Sequence, residues 1–161
     1  MVLSRYLNNL LLILLIAASF GDINAQGTTD DQLAAYYYRE GSFDKAVIYY
    51  DRLYENNPSD DNYNYLLKCF LALEDYKSAE KLAENQVKKH PSTMRYKVDV
   101  GTIYNKSGDE SKAEKEYSKI IKSLDKASVS QILELGKAFS EIDENQLALE
   151  VYYKGRKQVG K

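Results

Sequence analysis

The sequence predicts an all-α fold in which four helical hairpins follow one another along the chain. Three observations lead to this prediction. Four segments show the same order of features, and the alanines in the second half of each segment lie 33, 34 and 35 residues apart. Within each half, apolar residues recur four positions apart, which places them on one face of a helix. Repeats of this length with two helical halves are typical of α-solenoids.

The first helix of each predicted hairpin contains a pair of apolar or small residues and, four positions after the first of them, an aromatic residue. The four copies are Leu33-Ala34-x-x-Tyr37, Leu66-Leu67-x-x-Phe70, Val100-Gly101-x-x-Tyr104 and Leu135-Gly136-x-x-Phe139. A break follows each copy. Gly41 and Gly108 suit the tight reversals in the first and third hairpins, because glycine adopts left-handed backbone angles at little cost.

The second helix of each hairpin carries a small residue and a bulkier or matching residue four positions later. These pairs are Ala46/Tyr50, Ala79/Ala83, Ala113/Tyr117 and Ala148/Tyr152. The small residue predicts a close approach of the two helices, and the second residue is expected to fill the gap between neighbouring hairpins. Pro58 and Pro91 end two of these helices, because the residue before a proline resists helical angles. We expect eight helices, over residues 29–40, 43–57, 60–73, 76–89, 93–107, 110–124, 128–141 and 144–158.

This order of features resembles the tetratricopeptide repeat (TPR), whose signature is L-G-x-x-Y, then A-x-x-x-F, then P in units of 34 residues. The resemblance covers residues 26–161 and implies a right-handed α-solenoid of about four hairpins, with repeats at about 27–60, 60–93, 94–127 and 129–161. The chain departs from the family pattern at several positions. The position of the usual tryptophan is occupied by Asp30, Tyr63, Lys97 and Ile132, Asp125 replaces a closing proline, and Gly155 replaces a larger residue.

The first 25 residues have the layout of a secretory signal peptide. Met1–Arg5 is a short basic start, Leu10–Phe20 is an uncharged apolar run, and Ala25 is a small residue suited to cleavage. We therefore expect cleavage after Ala25 and export to the periplasm or the cell exterior, as an envelope-associated bacterial protein. The alternative is an uncleaved membrane anchor made from Tyr6–Phe20, although a membrane helix needs about 20 apolar residues.

Composition and motifs argue against catalysis and against nucleic-acid binding. The formal net charge is −2, so the chain has no excess of the basic residues that bind phosphates. The only histidine, His90, excludes an H-E-x-x-H metal site, and the only cysteine, Cys69, cannot form an intramolecular disulfide. We expect His90 to be exposed at a helix end and Cys69 to be half-buried. Adjacent carboxylates fall at helix starts, where their negative charge interacts favourably with the helix dipole. We therefore expect no catalytic site, metal or cofactor.

Tyrosine is the unusual component, with 15 residues and no tryptophan. Five tyrosines occupy signature positions and are expected in the core: Tyr37, Tyr50, Tyr104, Tyr117 and Tyr152. Among the others, Tyr38 is expected to face the binding groove.

The TPR resemblance also implies where a ligand would bind, because first helices in that family line a concave groove that holds an extended peptide or a partner helix. The groove positions recur at i, i+4 and i+7: Asp31, Ala35 and Tyr38; Asn64, Lys68 and Leu71; Val98, Thr102 and Asn105; Leu133, Lys137 and Ser140. The candidate binding residues are Tyr38, Asn64, Lys68, Leu71, Thr102, Asn105, Lys137 and Ser140. The family's dicarboxylate clamp is not expected, because Asp31 and Ala35 occupy its lysine and asparagine positions.

The sequence therefore favours a non-catalytic scaffold that binds a peptide or partner protein in the groove. The alternative is an accessory repeat region at the start of a longer envelope enzyme or sensor, and an enzyme within residues 26–161 is the third hypothesis. We also expect association with envelope complexes. The predicted last hairpin has no further capping helix, so edge-to-edge contact through this hairpin is a second expected mode of interaction.

Overall fold

A computed structural model describes residues 29–159, apart from the side chains of residues 126, 158 and 159. The predicted signal peptide lies outside the described residues. All regular structure in the described range is helical, which confirms the predicted all-α class, and none of these helices is long and apolar enough to span a membrane. The helices are α1 (29–39), α2 (Phe43–Asn56), α3 (Asp60–Ala72), α4 (Tyr76–Lys89), α5 (Met94–Lys106), α6 (Glu110–Lys122), a 3-10 turn η1 (Ser123–Lys126), α7 (Val129–Glu141) and α8 (Asn145–Val159).

Helices α2 to α8 begin and end within two residues of the predicted bounds, because the terminating signals are local. The Asp75 and Asp109 side chains accept the backbone N–H groups of Ser78 and Lys112 at the starts of α4 and α6, both at 3.1 Å. At the start of α7, Ser128 and Gln131 bond each other's backbone in a capping box. The 3-10 turn η1 stands where the third repeat lacks its proline.

The same turn closes the first helix in all four hairpins. The residues with positive φ are Gly41 (70°), Glu74 (56°), Gly108 (85°) and Asp143 (62°). In each turn the next N–H bonds a carbonyl five residues back: Ser42 to Tyr37, Asp75 to Phe70, Asp109 to Tyr104 and Glu144 to Phe139, each at 2.9 Å. This is the Schellman arrangement, in which glycine is favoured but not obligatory. The helical repeat is therefore present in the backbone as well as in the sequence.

The chain divides within α3 into two compact units, the first ending at Cys69 and the second beginning at Phe70. In the first unit, Ala34, Ala46 and Tyr63 are completely buried. Cys69 is also completely buried, so the expectation that it is half-buried was wrong. Its small, weakly polar side chain packs as an apolar residue.

In the second unit, α4 packs on α5, α5 on α6, and α7 on α8, and α5 also packs on α7. One apolar core joins them, and it contains Met94, Val98, Tyr117, Ile120, Ile121, Leu124, Ile132, Leu135, Phe139 and Val151. The Tyr117 and Phe139 rings meet edge to face with centroids 5.2 Å apart. An aromatic residue of the third hairpin therefore packs on the fourth, as the repeat pattern predicts.

Three glycines stand where a side chain of the other helix in the same hairpin comes close. A Cβ on Gly101 would overlap the Tyr117 ring, and a Cβ on Gly136 would overlap the Tyr152 ring. A Cβ on Gly155 would overlap the Ile132 side chain, which explains why glycine departs from the family pattern there. Tyr152 was expected in the core, but it is 38% exposed, because no described helix covers its outer side.

Candidate functional site

In the first unit, the candidate residue Tyr38 belongs to a cluster of aromatic rings. Its ring meets the rings of Phe43, Tyr50 and Tyr65 edge to face, at centroid distances of 5.4, 6.0 and 5.1 Å. The Tyr50 and Tyr65 rings are stacked 5.0 Å apart, with 8° between their planes. We call Tyr38, Phe43, Tyr50 and Tyr65 the tyrosine cluster. Tyr38 is half-buried, so one part of it supports the fold and another reaches solvent.

The other two candidates in this unit, Asn64 and Lys68, lie on α3 beside the tyrosine cluster. Asn64 is half-buried and Lys68 is exposed. The Lys68 ammonium lies 5.6 Å from the centroid of the Tyr65 ring, close enough for a cation–π contact. This contact holds the ammonium near the cluster while leaving it open to an incoming carboxylate.

Burial raises the pKa values of three side chains in the first unit. It raises the pKa of Tyr50 to about 12 and the pKa of the Cys69 thiol to about 11, and it also raises the pKa of Tyr38. The hydroxyls therefore stay protonated at neutral pH and can donate hydrogen bonds. The Cys69 thiol stays protonated too, and a protonated buried thiol is a poor nucleophile.

These shifts predict that the protein loses stability at alkaline pH. Both folded-state pKa values lie above their ordinary values of 10.0 and 9.0, so the associated stability is complete below pH 9 and is lost as the pH rises through 11 and 12. We expect the urea midpoint to fall between pH 9 and 12. Tyr50→Phe and Cys69→Ala should each flatten this decline, and an unchanged slope in both variants would contradict the assignment.

On α5, the predicted groove positions do not share one open surface. Val98 is only 1% exposed and belongs to the core, so its placement in the groove was wrong: α7 packs on that side of α5. The Thr102 hydroxyl donates to the Val98 carbonyl at 2.9 Å and lies 3.2 Å from the Tyr117 hydroxyl, so Thr102 is partly committed to internal bonds. Asn105 is exposed, but it lines a cleft that the sequence did not reveal.

This cleft has a volume of about 470 Å³ and lies between α6 and α8. Apolar side chains, among them Ala113, Ile121 and Leu147, contribute to its walls. The polar lining residues are Asn105, Glu110, Glu114, Ser118, Lys122, Glu144, Gln146, Glu150 and Lys154. Sequence reasoning missed the cleft because it examined first helices, whereas second helices form most of its walls.

On α7, Lys137 and Ser140 are both exposed. The Ser140 hydroxyl donates to the Gly136 carbonyl at 3.1 Å, and the Lys137 ammonium lies 3.6 Å from a carboxylate oxygen of Glu141. Both partners of that ion pair are exposed, so the pair is weak and exchangeable. The remaining candidate, Leu71, is half-buried near the end of α3.

A second cleft, of about 410 Å³, lies between α4, α5 and α6. Val87, Val100 and Ile120 give it apolar walls, and its charged residues are Glu84, Lys88, Lys97, Glu116 and Lys119. Tyr104 also lines it, and its hydroxyl donates to Glu80 at 2.5 Å. That hydrogen bond raises the pKa of Tyr104 to about 12. Because its lining carries charges of both signs, this cleft does not favour a ligand of one charge.

Within residues 29–159, no group of three or more His, Cys, Asp or Glu side chains is arranged to hold a metal ion. His90 lies exposed at the C-terminal end of α4, as predicted, with its ring 5.9 Å from that of Tyr96. No family model matches this sequence, and no curated protein matches it. The relation to tetratricopeptide repeats therefore stays a prediction, and the side-chain geometry carries the functional argument.

Proposed function

We propose that this protein is a non-catalytic scaffold of the TPR type that binds a peptide or partner protein along the first helices of its hairpins. The observation that carries the proposal is the difference in burial between the two sides of α7. One side of this helix packs through Leu135 and Phe139, whereas Lys137 and Ser140 stay exposed. Exposed polar residues on a helix whose other side packs in the core provide a fixed recognition surface.

The exposed candidates suggest what such a partner offers. The Lys68 ammonium lies beside the Tyr65 ring, and Lys137 lies one turn beyond the exposed Leu133 on α7. Each position suits a carboxylate beside an apolar side chain. The Asn64 amide can donate to and accept from a peptide main chain. Taken separately, each of these positions suits an extended segment with acidic residues.

Export is part of the same proposal. A signal peptide cleaved after Ala25 would place the scaffold in the periplasm or outside the cell, with envelope proteins as its partners. The mass of the mature protein tests this step directly, because cleavage removes residues 1–25 and an uncleaved anchor retains them.

Charge-reversal variants on first and second helices test whether the partner binds along the first helices. In a pull-down from envelope extract, we expect Lys68→Glu/Lys137→Glu to reduce partner recovery at least about tenfold, a loss of about 1.4 kcal/mol. The matched control is Lys81→Glu/Lys115→Glu, which makes the same charge change at exposed positions of α4 and α6. Equal recovery with both double variants would exclude first-helix binding, and circular dichroism would verify that both are folded.

A further inference from the structure

Helix α5 does not supply the side-chain cap for its own first turn. The first N–H groups of a helix have no partner within the helix, and a side chain at the N-cap position usually accepts one of them. Asp75 does so for α4, Asp109 for α6 and Ser128 for α7. Thr93 stands at the N-cap position of α5, but its side chain makes no such bond. The first turn of α5 therefore depends on another acceptor.

That acceptor is Glu134 of α7, in the next hairpin. Its carboxylate accepts the N–H of Arg95, the second residue of α5, at 3.1 Å. A carboxylate at this end of a helix also interacts favourably with the helix dipole. One turn earlier on α7, the Gln131 side-chain amide donates to the Ser92 carbonyl at 3.0 Å. Both bonds join residues 39 positions apart, so they tie α7 to the start of α5 in one common register.

These bonds differ in kind from the apolar contacts between the same two helices. Helix α7 packs on α5 in a core that contains Val98, Ile132 and Leu135. The hydrophobic effect has no preferred direction, whereas a hydrogen bond weakens steeply outside a narrow range of distance and angle. Glu134 and Gln131 therefore add a directional restraint on the position of α7 along α5.

The exposed candidate residues of α7 follow directly after this restraint. Lys137 lies three residues after Glu134, which is one turn along the same side of the helix, and Ser140 lies three residues further on. Within residues 29–159, the Lys137 ammonium is paired with Glu141 of its own helix. The position of Lys137 relative to α5 is therefore set by the position of α7 as a whole.

We propose that Glu134 is a positioning residue for the recognition surface on α7. By capping α5 from the next hairpin, it holds the helix that carries Lys137 and Ser140 in a defined register on α5. This inference rests on the proposed function, because it concerns how those two side chains are presented to the partner. Glu134 acts through α7 rather than through contact with the partner, since its carboxylate is bonded to the Arg95 N–H.

Partner recovery from envelope extract, measured beside urea unfolding, tests this role. Glu134→Ala removes the cap of α5. The matched control Asp75→Ala removes the cap of α4, in which a carboxylate accepts the Ser78 N–H at the same distance of 3.1 Å. Both variants should lower the urea midpoint, but only Glu134→Ala should lower recovery, by at least about threefold. Glu134→Gln keeps an oxygen acceptor on a side chain of the same length, so it should restore most of the recovery.

A double variant identifies the route by which Glu134 acts. If Glu134 places Lys137, then Glu134→Ala should cause a clearly smaller loss of recovery in a Lys137→Glu background than in the natural protein. Equal losses in the two backgrounds would overturn the positioning role and leave the proposed function intact. So would unchanged recovery with Glu134→Ala, or the same loss of recovery with Asp75→Ala. Normal recovery with Lys137→Glu alone would overturn the proposed function, and the positioning role with it.

Discussion

Replacing Leu135 by alanine is expected to lower the free energy of unfolding by about 2–5 kcal/mol, whereas the same change at Leu133 should alter it by less than about 0.5 kcal/mol. Leu135 is completely buried in the core of the second unit, so alanine would leave a cavity there. Leu133 lies two residues earlier on α7 and is 57% exposed. The pair shares residue type and helix and differs in burial.

Urea unfolding measures the free energy of unfolding of both variants. The expected result is a large drop in the midpoint for Leu135→Ala and none for Leu133→Ala. Similar losses in the two variants would mean that the outer side of α7 is covered in the monomer.

Introducing a carboxylate at Val98 is expected to destabilise the protein by more than about 3 kcal/mol, because a buried charge would lack a partner. Val98 is 1% exposed and packs in the core beside α7. The repeat-equivalent change, Leu133→Asp, introduces the same group at an exposed site and should cost less than about 1 kcal/mol.

The far-ultraviolet circular dichroism of the two aspartate variants, followed through thermal unfolding, checks this prediction. Val98→Asp should melt at a much lower temperature than the natural protein, or fail to fold, and Leu133→Asp should melt near it. If Val98→Asp were as stable as the natural protein, Val98 would face an open groove and the packing of α7 on α5 would be wrong.

Val98 and Leu133 also show where sequence reasoning reached its limit. The i, i+4, i+7 rule selected the same stripe on both helices, namely Val98, Thr102 and Asn105 on α5 and Leu133, Lys137 and Ser140 on α7. On α5 that stripe enters the core and the cleft, because α7 and α8 pack beside it. On α7 the same stripe is exposed. Local spacing defines a helix face, but the neighbouring hairpin decides whether that face is buried.

The helices themselves were predictable because their signals are local. Turn residues, capping side chains and the small residues at close contacts each act within a few positions. Two departures from the repeat pattern also have local causes. Asp143 adopts the left-handed conformation in a turn without glycine, and Gly155 makes room for the Ile132 side chain. The two clefts were missed because each is lined by side chains from helices of two hairpins. The spacing of residues along one helix does not reveal such a combination.

Site-specific photocrosslinking in the native cell tests the central claim, that a partner binds along the first helices. A photoreactive residue is placed either at Lys137 on α7 or at Lys115 on α6, both exposed positions. The scaffold account predicts a crosslinked partner protein from position 137 and none from position 115. Crosslinking from position 115 alone, or from neither position, would contradict it.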